Sequence, residues 1–151
     1  MLNGKEKGLI VALRRQDSQN IMNVSKTQEI PKSTLYDIMH KLQKTDILRH
    51  ITKISFEKIG FPIKIFFVIR TEIQNREKLK QFLITQKNVN NIHLVNNQSS
   101  FHVECIFKNQ KEAEEFLEDL EEQTPLTQLS VYNLLDTIQE EKFLTQETHF
   151  E

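Results

Sequence analysis

Apolar residues recur along this chain with two different periods. In the segment GLIVALRR, Leu9, Ile10 and Leu13 fall at helical spacing, which predicts a short helix from about Lys5 to Gln16, ended by the polar run Asp17-Ser18-Gln19-Asn20. Asn20 is a good N-cap, and Ile21 and Val24 predict a second helix running to about Gln28. The third helix is the best marked. Pro31 suits a first helical turn, and Leu35, Ile38, Met39 and Leu42 follow at i, i+3, i+4 and i+7. Its opposite face carries Lys32, Ser33, Tyr36, Asp37, His40, Lys41 and Lys44, polar groups that mostly donate hydrogen bonds. From Ile47 to Ser55 isoleucine alternates with polar residues, which predicts a strand or wing, and Gly60 marks a domain boundary.

Beyond Gly60 the order predicted is strand, helix, strand, strand, helix, strand. Phe61 to Thr71 is rich in Ile, Phe and Val; Leu79, Phe82 and Leu83 give a helix over Arg76 to Gln86; and Asn91 to Asn96 is a short apolar strand. After a polar loop, Phe101, Val103, Cys105 and Phe107 line one face of a half-buried antiparallel strand. Asn109 and Glu112 form a capping-box-like start to a helix over Lys111 to Glu122 with a stripe of Ala113, Phe116, Leu117 and Leu120, and Pro125 ends it. Leu126 to Leu135 supplies the last strand. Residues 138–151 read as a polar, partly mobile tail with Phe143, Leu144 and Phe150 as its anchors.

The fold class is therefore α+β. A winged helix-turn-helix occupies 1–60 and a ferredoxin-like βαββαβ domain 61–137, with the tail after it. Two helices cover one face of such a sheet and leave the other open. In the first strand both alternating sets, Phe61, Ile63, Ile65, Phe67, Ile69 and Pro62, Lys64, Phe66, Val68, Arg70, are substantially apolar, so a second copy of the chain is the simplest cover and a homodimer is expected.

Composition changes this picture in one respect. The formal net charge is −1, but residues 1–60 hold 11 Lys and Arg against 6 Asp and Glu, a net of +5, while residues 61–151 hold 9 against 15, a net of −6. A basic head on an acidic carrier suits phosphate binding at one end and limits non-specific attachment at the other. No run reaches the roughly 18 apolar residues of a membrane span, and the N-terminus does not read as a signal peptide, so a cytoplasmic protein with no membrane partner is expected. The single Cys105 reads as a buried thiol. The five histidines have no metal-ligand spacing and no Gly-rich phosphate loop or serine-nucleophile elbow occurs, so no enzyme, metal or cofactor is expected.

The run Ser33-Thr34-Leu35-Tyr36-Asp37-Ile38-Met39-His40-Lys41-Leu42-Gln43-Lys44-Thr45-Asp46-Ile47-Leu48, followed by Ile51-Thr52 and by Phe56-Glu57-Lys58-Ile59-Gly60-Phe61, resembles the leucine-responsive regulator/AsnC family of prokaryotic transcription regulators. The resemblance spans nearly the whole chain. It implies a winged helix-turn-helix joined to a βαββαβ sensing domain, and a pocket for a small-molecule effector such as an amino acid near Asn96, Asn97, Gln98, Ser99 and Ser100. Several positions depart from the family pattern, among them the loop Asn96-Asn97-Gln98-Ser99-Ser100, where the family tends to have Thr-Gly and then Asp, and where Asn97 can replace the Gly. Glu29 and Asp46 stand where Gly is usual, Ile38 where Arg is frequent, and Ser100 where the family tends to have Asp.

Under this reading the third helix enters the major groove of double-stranded DNA. Lys32, Ser33, Tyr36, Asp37, His40 and Lys41 are candidates for base or backbone contact, and Lys26, Lys44, Arg49 and Lys53 for phosphates. The alternatives are a protein-interaction module of the same fold and a subunit like those of sirohaem decarboxylase. The sequence leaves open whether dimers assemble into tetramers or octamers.

Overall fold

In the computed structural model, residues 2–15, 21–49, 51–95 and 100–150 are described. They fall into two compact units, 1–52 with 138–151, and 53–137.

The first unit is built on α1 (Gly4–Arg14), α2 (Ile21–Thr27) and α3 (Lys32–Lys44). Asn3 caps α1: its side-chain oxygen accepts from the Glu6 N–H at 2.9 Å, and its own N–H donates to the Glu6 carboxylate at 2.8 Å. Leu9, Ile10, Val24, Ile30, Leu35 and Leu42 form the buried cluster, with Ile38, Met39 and Leu48 packed against it. The helix α3 ends in a Schellman arrangement, completed by the Asp46 N–H to the Gln43 carbonyl at 3.1 Å, and α2 ends with the same long-range bond of that motif. The Ile30 N–H reaches the Ser25 carbonyl at 3.2 Å, and the Ile47 N–H reaches that of Leu42 at 3.0 Å. The left-handed residue in each is not Gly but Glu29 (φ 53°) and Asp46 (φ 55°).

Two expectations are corrected here. No strand forms among the described residues of 47–55, because an alternating run with no neighbouring strand has no ladder to join; Ile51 is 89% exposed. Among the described residues the expected strand or wing does not accompany the helices. Nor is the C-terminal segment a loosely held tail. It ends in a 3₁₀ turn, Glu147–Phe150, and Leu144 and Phe150 pack against the cluster of the three-helix head, while the third proposed anchor, Phe143, stays 67% exposed.

The second unit contains β1 (Ile63–Arg70), α4 (Arg76–Thr85), β2 (Val89–Val95), β3 (Ser100–Phe107), α5 (Gln110–Gln123) and β4 (Gln128–Asn133). The sheet order is β2-β3-β1-β4 and every pairing is antiparallel. This is the βαββαβ unit read from the sequence. Its start lies earlier than Gly60, since Lys53 onward, including the turn Glu57–Ile59 capped by Gly60 at φ 96°, belongs to this unit. Ile65, Phe67, Ile69, Phe101, Val103, Cys105 and Phe107 face the helices and meet Leu79, Leu83, Ala113, Phe116 and Leu120. Phe116 sits at the centre, its ring 5.3 Å from Phe67 and 5.7 Å from Phe107. On the opposite sheet face, register pairs Phe66 with Tyr132, Val68 with Ser130 and with His102, and His102 with His93.

Candidate nucleic-acid interface

The candidate site is the outer face of α3. The 3.6-residue period turns Leu35 and Leu42 into the head, where they are 0% and 1% exposed, and leaves Lys32, Ser33, Tyr36, Asp37, His40, Lys41 and Lys44 exposed on the other side. The face is a strip of ammonium groups, a hydroxyl, a phenol and an imidazole with one carboxylate among them. Such a strip offers donors to base edges and phosphate oxygens. Lys26, in the last turn of α2, is exposed too.

The remaining candidates divide. Arg49 is exposed and 3.5 Å from Asp46, a surface pair that holds it only weakly. Lys53 belongs to the second unit and is exposed there. Lys41 stays exposed but is engaged: its ammonium donates to the buried Glu6 carboxylate at 2.6 Å. The Lys41 hydrogen bond, then that from the Asn3 backbone, holds the Glu6 carboxyl below its ordinary value. Glu6 was invisible to the sequence reading. Its side chain is almost wholly buried, and only the packing of α1 on α3 brings it to a lysine 35 positions away. The one available signal was its place at N3 behind an Asn cap. Ile38 is half-buried against the head's core, so at this position the chain packs where the family pattern often has a cation.

Of the effector-loop candidates, Asn96, Asn97, Gln98 and Ser99 lie outside the described residues. Ser100 opens β3 between Arg70 and Val95. It is 2% exposed and its hydroxyl has no hydrogen-bond partner. Among the described residues no group of three or more His, Cys, Asp and Glu is placed to hold a metal, and no helix is long and apolar enough to cross a membrane. His93 and His102, separated in sequence, are direct partners across β2 and β3. Burial, with a smaller contribution from the charge of Glu104, pushes the Cys105 thiol up to about 12.

Three helices with an exposed cationic third, joined in one chain to a four-stranded βαββαβ sheet, make up the fold of the Lrp/AsnC transcription regulators, and solved members of that family match nearly the whole chain. A transcriptional regulator from Neisseria meningitidis in complex with L-methionine matches with a TM-score of 0.79 at 14% identity, covering 93% of this chain and 94% of that one. AsnC of Escherichia coli matches at 0.76 and 11% identity (93% and 96% covered), and LrpC of Bacillus subtilis at 0.76 and 12% (92% and 98% covered). No family model and no curated protein matches the chain in sequence. At these identities the likeness is one of fold.

Proposed function

We propose that the protein is a sequence-specific DNA-binding transcription regulator that works as a homodimer in the cytoplasm. The observation that carries this reading is the outer face of α3, where every polar residue assigned to contact DNA is exposed while Leu35 and Leu42 of the same helix are buried and Ile38 and Met39 are half-buried. A helix presented in this way fits a major groove, with Lys32, Ser33, Tyr36, Asp37 and His40 reading or positioning and Lys26, Lys44, Arg49 and Lys53 neutralising phosphates. Lys41 joins them to the extent that it leaves Glu6. The dimer is supported by the uncovered sheet face around Phe66, Val68 and Tyr132, the last 57% exposed. A small-molecule effector is supported by Ser100, whose buried, unpartnered hydroxyl asks for a polar group from a ligand or from the loop before it. The Neisseria regulator's L-methionine gives an amino acid as the first compound to try.

The test is selection from a random DNA pool with the purified protein. A recovered near-palindrome supports the reading, and Lys32→Ala with Tyr36→Ala then weakens binding to that sequence by about tenfold or more at fixed salt. Failure to enrich any sequence, with association that ignores ionic strength, overturns it in favour of a protein-interaction module.

A further inference from the structure

The head contains a segment that a helix-turn-helix does not need. Residues 138–150 return to α1 and engage the two arginines at its C-terminal end. Arg14 donates from Nε to the Phe143 carbonyl at 3.0 Å and pairs with the Glu141 carboxylate. Arg15 donates from Nε to the Thr145 carbonyl at 2.9 Å. Further along α1 the Lys7 ammonium lies 5.4 Å over the Phe150 ring. The segment is shaped for this seat: the Leu144 N–H donates to His149 Nδ1 at 3.0 Å, and the Phe143 and His149 rings stack at 5.6 Å. Leu144 takes a positive φ of 62° and packs, with Phe150, against the core of the head.

The ligands supplied to the arginines, carbonyl and carboxylate oxygens, do for a guanidinium what phosphate oxygens do. The charges agree. Residues 1–52 carry nine Lys and Arg against five Asp and Glu, a net of +4, and residues 138–151 carry four Glu against one Lys, a net of −3. With the segment seated, the compact head is left at +1. We propose that the C-terminal segment is a built-in competitor for DNA phosphates: a clasp on α1 that occupies Arg14 and Arg15 and lowers the affinity of the head for polyanions. The proposal rests on the DNA-binding reading for its biological sense, and its chemistry can be read separately.

Glu140→Gln with Glu141→Gln weakens the clasp and leaves its apolar anchors Leu144 and Phe150 in place, so folding is kept. Glu114→Gln with Glu118→Gln, on the exposed side of α5, makes the same change in net charge elsewhere. Binding of each full-length variant to a duplex of about 30 random base pairs is followed between about 50 and 200 mM salt. The tail variant is expected to bind at least threefold tighter than the α5 variant, with a slope of log affinity against log salt steeper by up to about 0.9 for each arginine released. Equal affinities and slopes for the two variants overturn the clasp while leaving DNA binding intact. If no form binds the duplex, the DNA reading fails, and elution from immobilised heparin decides the clasp: later elution of the tail variant than of the α5 variant supports it, and equal elution overturns it.

Discussion

Glu29 and Asp46 show how a single residue bears the cost of a turn. Each occupies the left-handed position where a helix ends, yet each carries a Cβ that disfavours this conformation and a negative charge at the negative end of a helix. Glu29→Gly is therefore expected to stabilise the protein by about 1 kcal/mol, a rise of about 2–4 °C in Tm by calorimetry; Asp46→Gly gains less, because Asp visits this region more readily and loses its contact with Arg49. Glu6 sets a pH dependence. Its carboxyl is held low in the folded state by Lys41, so its contribution is full above the ordinary carboxylate range and is lost as pH falls through the lowered value. Thermal melts from about pH 6 to pH 3 should show the wild type losing Tm more steeply than Glu6→Gln. A parallel fall in both would disprove it. The thiol of Cys105, buried and pushed up to about 12, should react with a thiol reagent at pH 8 only as fast as the chain unfolds.

At the scale of elements, legibility followed periodicity. The stripe of α3 has to face a core wherever that core lies, so both its buried and its exposed residues were readable from spacing alone. Leu35, fully buried where the three helices meet, should cost about 2–5 kcal/mol on replacement by Ala, seen as a lower unfolding midpoint of the head. The segment after α3 shows the converse. Its Ile alternation satisfies the pattern of a strand, but a strand is defined by hydrogen bonds to a neighbour, and the pattern says nothing of whether one is present. The C-terminal segment is legible only in part, in its anchors Leu144 and Phe150, for a related reason. Spacing marks these side chains as anchors but does not give the seat, which gathers them with two arginines and a lysine of α1 and its C-cap.

For the whole molecule, the opposed charges of the two ends and the uncovered sheet face bear on assembly and binding. If the proposed homodimer forms through that face, a charge planted on it, Phe66→Asp beside Tyr132, is expected to weaken self-association by at least about tenfold in sedimentation, about 1.4 kcal/mol, while leaving the helix-packed side of the sheet unchanged; an unaltered mass distribution would overturn this face as the self-association surface. What the sequence by itself determined was the order of the main helices and sheet strands, the two classes of structure and the exposed polar strip of α3, since these depend on local spacing and on the need to bury apolar faces. Tertiary structure alone decided that Glu6 meets Lys41, that the segment 47–55 has no strand partner, that His93 stands opposite His102, and that the acidic C-terminus closes on the basic head. Those outcomes turn on which distant segments the packed cores bring within a few ångströms, and no local periodicity carries that information.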